Sequence, residues 1–503
     1  MSTKVADEER FEDNTSIQQG DLVKDAPGGS VPKVHFKLWQ TLGMNFSITN
    51  TPISVGAYLS LIIGLGGFPY YVWCFIFAGF FQLILGLVVA EIASAMPHSS
   101  GPAHWIGVLS PPRYAKKMQY LVGWLTIALW WFVSAGNMLY LGQYVAGFAE
   151  AMNPGYKADT WQVYLIANAF ALLITILNLP GFFKLTPHLM TAAVVVINAT
   201  WIFVFVAMLV RAEPKATARA VFVDVVNESG WSSDGLVFFL ALLPGLLSIS
   251  GFDSCTHITD EVPSPSKDIP MVIIGSSLLS AFTGFAMIVM FSFCTVSPEG
   301  LLDPYGHQPL LNVLKDGLRS DALFCIATTA IILTIFVATL ATFTSWNRLY
   351  WSFSRTNGLP FSAATSKLVS KDRIPMNALI VKLVLTVALG AIGIGSLTAL
   401  NAIFGSSAIL ALLSYLLNLI MAILRGRESL NPNRWLNLGR WGLPLQVVAA
   451  VWCVFASVWL CFPLYLPVTP DTMNWTVVIA PGIVILAFGY YAIFRKRMND
   501  PDM

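Results

Sequence analysis

The chain has 503 residues, 56% of them hydrophobic and only 11% charged, against roughly a quarter charged in an ordinary soluble domain. That balance excludes a soluble globular enzyme, gives no sign of a nucleic-acid partner, and fits a polytopic membrane protein. The net charge of +2 says nothing of partners, because in such a chain the placement of charges matters and the sum does not.

Residues 1–40 read as a polar tail of mixed charge, with Pro27, Gly28, Gly29 and Ser30 as a flexible patch. The tail lacks the basic start, short apolar core and cleavage site of a secretory signal. The first apolar run, Leu42 to Ile63, is interrupted near its centre by Thr49, Asn50, Thr51, Pro52 and Ser54. Pro52 removes a backbone donor and biases Thr51 away from helix. Further spans are expected at Tyr70 to Ala95, Tyr120 to Phe148, Trp161 to Leu177 and Leu185 to Val210.

The sixth run begins at Leu236 and breaks into Ser248, Ser250, Gly251, Asp253, Ser254, Thr256 and His257. Unwound backbone at bilayer depth is tolerated only where protein or a water-filled cavity satisfies it, and an intramembrane carboxylate usually faces a pathway or a partner. The plainer alternative is a glycine kink whose polar groups satisfy one another. Spans then follow at Met271 to Val296, Leu323 to Trp351, Ala378 to Ile394, Leu397 to Leu424, Leu443 to Leu464 and Thr476 to Phe494. That makes about twelve, each long enough for a hydrocarbon core of ~30 Å. Residues 41–424 read as a ten-helix transport core, 425–495 as two additional helices, and 496–503 as a second tail.

With the N-terminus inside, the inner segments hold Arg113, Lys116 and Lys117; Lys184; Lys267; Arg348, Arg355, Lys367, Lys371 and Arg373; Arg425, Arg427, Arg434 and Arg440; and Arg495 to Arg497. The outer segments hold fewer: Lys157, Arg211, Lys215, Arg219, Lys315 and Arg319. Both termini are therefore expected in the cytoplasm; the membrane expected is the plasma membrane ahead of the vacuolar one. Asn227, in the sequon Asn227-Glu228-Ser229, then faces the far side as a glycosylation candidate. The six cysteines lie in or beside apolar runs without metal-type spacing. No disulfide, metal or cofactor is expected.

The two interrupted spans are five apart, so they run in opposite directions. Discontinuous helices at corresponding positions of two halves point to a 5+5 inverted-repeat transporter with its site at the shared midplane. The fold expected is all-α, integral to the membrane, with two extra helices at the C-terminus.

The segment GFDSCTHITDEVPSPSKDIP, Gly251 to Pro270, resembles the sixth-span signature of the amino acid/choline transporters, a branch of the amino acid/polyamine/organocation superfamily. Two further stretches agree: Glu91, Pro97, Ser99, Gly101 and Trp105 after the second span, and Arg348, Phe353, Arg355 and Gly358 to Phe361 after the eighth. The chain departs from the pattern at Ser100, Ala103 and Thr356-Asn357, and its TNTPIS break is less typical. The resemblance implies a secondary carrier (permease) for amino acids, 4-aminobutyrate, choline, polyamines or related small nitrogen compounds, coupled to protons rather than sodium.

Candidate substrate residues are Asn50, Thr51, Ile53, Ser54, Trp131, Ser250, Gly251, Phe252 and Asp253. Asp253 either meets a substrate amine or a proton, or caps the half-helix that follows; the cap is the favoured reading. Phe252 is a candidate lid. Trp130 and Trp131 fall at mid-span, where a lipid-facing belt explains tryptophan poorly and a cation–π contact explains it well. The free amides after each break, Ile53 to Gly56 and Phe252 to Cys255, suit an acceptor-rich group. Candidate coupling residues are Thr339, Thr342 and His257, although threonines bonded to their own helix are commoner. Lys382 reads as snorkelling to the interface, and Glu91 as paired with a loop arginine. Filling the break with Gly251→Leu should abolish transport, with Gly284→Leu as the milder control.

Other functions weigh less. An exporter or vacuolar exchanger of an alkaloid-like metabolite uses the same architecture. A non-transporting nutrient sensor usually carries a long soluble extension, which these short tails are not. No HExxH, GxSxG or phosphate-loop pattern marks an enzyme.

Overall fold

The computed structural model describes residues 36–369, 374–470 and 472–494. The N-terminal tail before Phe36, the C-terminal tail, and the basic residues Lys371, Arg373 and Arg495 to Arg497 lie outside the described residues. Twelve described helices are long and apolar enough to cross a membrane, as the sequence led one to expect. They are Leu38–Ile63, Gly67–Ala95, Pro112–Met152, Thr160–Leu177, Thr186–Arg211, Asp234–Glu261, Pro265–Cys294, Asp321–Ser354, Met376–Gly395, Thr398–Arg425, Gly439–Trp459 and Thr476–Phe494, numbered here as spans 1 to 12. With twelve spans between them, the described ends Phe36 and Phe494 lie on one face, called the terminal face below.

Span 3 is longer than its apolar stretch, because Pro112 sits at the helix start where its missing N–H costs nothing and the polar residues to Gln119 continue the helix. Its 41 residues extend about 60 Å, twice a hydrocarbon core. Span 11 stops early, at Trp459, ahead of Pro463.

The packing follows the repeat. Span 2 packs on span 7, span 3 on span 8, and span 4 on span 9, so these six elements touch their own counterparts five spans away, while the broken spans 1 and 6 cross. That is what an axis of pseudo-two-fold symmetry through the middle requires. Span 3 is the most enclosed; span 11 lies on spans 2 and 10, and span 12 on spans 3 and 10 at the rim. Far from the terminal face, a two-stranded antiparallel pair joins Leu65–Gly66, after span 1, to Val226–Asn227, before span 6.

Both breaks differ in detail from the expectation. In span 1 the chain breaks at Asn50, in the left-handed region (φ 40°, ψ 36°), its N–H donating to the Phe46 carbonyl, and a 3₁₀ stretch, Val55–Tyr58, follows before helix Leu59–Ile63. Pro52 is not the breaker; it sits in the first turn of the helix Thr51–Ser54, where proline is tolerated. Asparagine is among the few residues that enter this region readily. Span 6 is interrupted twice. Helix Asp234–Leu240 gives way at Ala241 and Leu242 to helix Leu243–Ile249, and the chain then unwinds through Ser250 and Gly251 (φ +91°). Beyond lies no α-helix but a 3₁₀ stretch, Ser254–Glu261, kinked at Ile258. Its composition explains the form. Thr256 and Thr259 donate their hydroxyls to the carbonyls three residues back, which favours the tighter helix over the α form.

Candidate functional site

One side chain of span 1 holds the break of span 6 open. Asn45 donates from Nδ2 to the Phe252 carbonyl at 2.9 Å and to Ser276 Oγ at 2.6 Å. Its Oδ1 accepts from Ser254 Oγ at 2.5 Å and from the Cys255 amide at 3.0 Å. Thr51 donates to the Ser248 carbonyl at 2.5 Å, Ser345 to the Ser254 carbonyl at 2.9 Å, and Gln82 to the Leu246 carbonyl and Ser250 Oγ. Spans 1, 2 and 8 thus supply the partners that the unwound backbone has lost, the condition for irregular chain at membrane depth.

Around this framework several buried polar atoms have no protein partner: Asn50 Oδ1, Ser248 Oγ, both carboxyl oxygens of Asp253, Trp130 Nε1, His257 Nε2 and the Tyr415 hydroxyl. Such atoms are rare in folded proteins, and each needs an explanation. These lie together. The Trp130 ring is the nearest group to the open side of Gly251, 3.4 Å from where a Cβ would stand, and meets the His257 ring edge-on at 6.1 Å. Phe252 stacks on Tyr415 of span 10 at 5.6 Å, and the Tyr415 hydroxyl is turned toward Asp253. The result is an enclosed niche of aromatic faces around one carboxyl, the chemistry that suits a small organic cation.

The expected residues divide accordingly. Asp253 occupies the N-cap position of the following helix, yet its carboxyl makes no cap bond, so the capping role that looked preferable from sequence is not the one it plays here. Asn50, Thr51, Ser250, Gly251, Phe252 and His257 are brought to the niche. Ile53 and Ser54 adjoin it, but their amides are spent on the Asn50 carbonyl, and those of Ser254 and Cys255 are also committed. The amides therefore offer less to an anion than the breaks suggested. Trp130, rather than Trp131, covers Gly251; Trp131 is half-buried against Phe132. Thr339 and Thr342 donate to their own helix, at the Ile335 and Ala338 carbonyls. Asn227 is tied to the Trp231 carbonyl and Asp234 through Nδ2. Asn45 and Tyr415 were missed; a lone asparagine in an apolar run was the available signal for the first. Lys382 corrects the expectation of snorkelling: it is fully buried.

Toward the terminal face the niche is closed by polar cross-links. His257 Nδ1 donates to the Ser99 carbonyl, Ser99 Oγ donates to Asp260 at 2.6 Å, and Ser100 bonds Ser352 at 2.7 Å. Below them Arg348 and Glu261 form a buried ion pair at 2.6 Å, with the guanidinium over the Phe183 ring. Glu91, as expected, is paired with loop arginines, Arg427 and Arg434, and accepts from the Leu438 amide.

Two crossed, broken helices around a closed midplane niche, carried by counterpart pairs of spans, define a membrane transporter of the inverted-repeat class. The amino acid permease family model matches residues 36–487, and the chain belongs to that family, whose members are carriers rather than enzymes. It is 28% identical over 467 residues to a choline transporter of Saccharomyces cerevisiae, covering 92% of this chain and 82% of that one. It is 25% identical to the amino-acid permease BAT1 of Arabidopsis thaliana, covering 92% of each. A transmembrane transporter, swnT, of Metarhizium robertsii is 26% identical over 474 residues, again covering 92% of each.

Proposed function

We propose that this chain is a proton-driven permease that takes up a small compound carrying a cationic nitrogen, such as choline, 4-aminobutyrate or another amino acid, in the niche between the two breaks. The observation that carries this reading is the Asp253 carboxyl, buried with both oxygens unpartnered among Trp130, Phe252 and Tyr415. An ionised carboxylate enclosed in this way calls for a counter-charge; a substrate ammonium supplies it and gains the aromatic faces as well. Relatives named as a choline transporter and an amino-acid permease support the same class.

Proton coupling fits the hydroxyls of Thr339 and Thr342, which are spent on their own helix rather than gathered for a sodium ion. The charge asymmetry favours both termini in the cytoplasm; the plasma membrane as the site, and 41–424 as the transport core with 425–495 as added helices, belong to the same proposal. Asn227 then faces outside. Its amide is engaged in the folded loop, so glycosylation would precede folding there.

The test is a panel of separately labelled choline, 4-aminobutyrate, polyamines and amino acids offered to a null strain expressing the chain. Asp253→Asn should raise the KM for the transported cation at least tenfold, about 1.4 kcal/mol. An unchanged KM for every transported compound sinks the assignment of the niche.

A further inference from the structure

Four tyrosines from three spans meet on the side of the niche away from the terminal face. Tyr58 of span 1 and Tyr144 of span 3 each lie within electrostatic reach of Tyr71 of span 2 and Tyr140 of span 3, so the four phenols close into a ring. The Tyr71 hydroxyl is spent on the Val55 carbonyl. Those of Tyr58, Tyr140 and Tyr144 make no hydrogen bond among the described residues, yet none of these three oxygens is sealed in by protein.

Tyr58 and Tyr140 are half-buried, as are Ser54, Ala57 and Asn137 between the ring and the niche. Spans 1 and 3 are the two most enclosed of the twelve, so this exposure opens on the inside of the bundle and not on lipid. Tyr140 stands ten residues beyond Trp130, and Tyr58 eight beyond Asn50, about 12–15 Å along each helix. One small ligand cannot touch both places. The ring is roofed by helix Pro309–Leu318 and the residue before it: Gln308 donates to Gln143 at 2.7 Å, Leu310 lies against Gly56, and Leu311 against Gly147. Beside the roof the Glu150 carboxylate accepts from the Gly306 and Ala158 amides at 2.8 Å each, and its charge favours cations at this end.

Resting on the reading of the niche as a cation site, we propose that the tyrosine ring is a second site for the same class of ligand, an organic ammonium, held by aromatic faces on its way to or from Asp253. Ring faces attract a cation without the carboxylates that a small metal ion needs in exchange for its water. A quaternary ammonium gains most from such faces, and a primary one finds the three uncommitted phenol oxygens for its N–H groups. With no carboxylate in the ring, the hold is weaker than at Asp253. A ligand there is detained and then passed on.

The experiment is equilibrium binding to the purified full chain, with labelled choline, 4-aminobutyrate and an amino-acid mixture offered in parallel and the bound ligand counted per chain. The wild type should take up about two molecules per chain, in a tight and a weak phase. Asp253→Asn should weaken the tight phase and leave the weak one. Tyr140→Leu removes a face at a half-buried position and should weaken the weak phase at least about fivefold, and Tyr140→Phe, which keeps the face, should restore most of it. A wild type that saturates at one molecule per chain overturns the second site without any variant having to fold. Both phases unchanged in Tyr140→Leu overturn it as well. Should Asp253→Asn change neither phase while Tyr140→Leu removes one, the reading of the niche fails and the ring stands. A wild type that binds none of the three ligands defeats both.

Discussion

Asn45 is one residue on which two helices depend. Replacing it by alanine strands the Cys255 amide and the Phe252 carbonyl in a buried setting, at about 1–3 kcal/mol each. Asn45→Ala should therefore lower the thermal midpoint of the purified protein and reduce transport together; full transport at an unchanged midpoint would show the four hydrogen bonds to be dispensable. Gly251 is decided by backbone rather than space. A Cβ would meet the Trp130 ring at an ordinary 3.4 Å, but φ is +91°, which costs a side-chain-bearing residue about 1–3 kcal/mol. Gly251→Leu should reach the membrane and fail to transport. The control chosen from sequence is unsuitable, since a Cβ at Gly284 would stand 2.6 Å from Phe75 and 2.7 Å from Thr51. Gly482, with nothing within 4 Å, is the proper control, and Gly482→Leu should transport normally.

At the scale of elements, two connections show how far a sequence can be read. That Glu91 would meet a loop arginine was legible, because a carboxylate near the end of a span has few alternatives. That it would gather Arg427, Arg434 and the Leu438 amide, pinning the link between spans 10 and 11 to span 2, was not, since the partners lie more than 300 residues on. Glu91→Ala leaves Arg434 almost buried and unpaired, which should destabilise the fold by about 3–5 kcal/mol; a thermal midpoint within a degree of wild type would refute this.

The segment between spans 2 and 3 stacks the half-buried rings of His98 and His104 at 4.1 Å. Burial, helped by the Arg355 charge, lowers the His98 pKa from 6.5 to about 4, and burial with the neighbouring ring lowers His104 further. The unfolded chain thus takes up protons first as pH falls. Stability supplied by the neutral pair is complete above about 6.5 and drains away toward pH 4. His98→Asn should flatten the pH dependence of the thermal midpoint in that window, and a slope equal to that of wild type would exclude the pair as its cause.

For the whole molecule, composition and the spacing of apolar runs were enough for twelve spans, since each must satisfy its backbone alone. The inverted repeat was legible because both breaks are polar and five spans apart. The identities that shape the niche were not. Trp130 and Trp131 differ by one position, about 100° of helix, and only packing chooses between them. Tyr415 sits in an apolar run where any aromatic residue reads as core. Lys382 misled because snorkelling is decided by depth and neighbours, neither of which one sequence displays. Orientation is testable directly: a cysteine at exposed Ser232, beside the N-cap Ser233, should react with an impermeant reagent on intact cells. Labelling only after permeabilisation would turn the molecule over.

The small strand pair far from the terminal face has a mechanical consequence. Leu65 lies opposite Asn227, the Glu228 amide bonds the Gly64 carbonyl, and the Leu466 amide bonds the Ser229 carbonyl. The end of span 1 away from the terminal face, the strap before span 6 and the loop between spans 11 and 12 are thereby sewn into one rigid lintel. Traffic through the doorway on that face must then pass on the other side of span 1, by the swing of its neighbours rather than by lifting the lintel. Directly opposed Cβ atoms in such a pair stand about 4.5–5.5 Å apart, near the reach of a disulfide. Leu65→Cys with Asn227→Cys, oxidised, should therefore transport as well as its reduced form, whereas a carrier stopped by that bond would have its hinge where the lintel is.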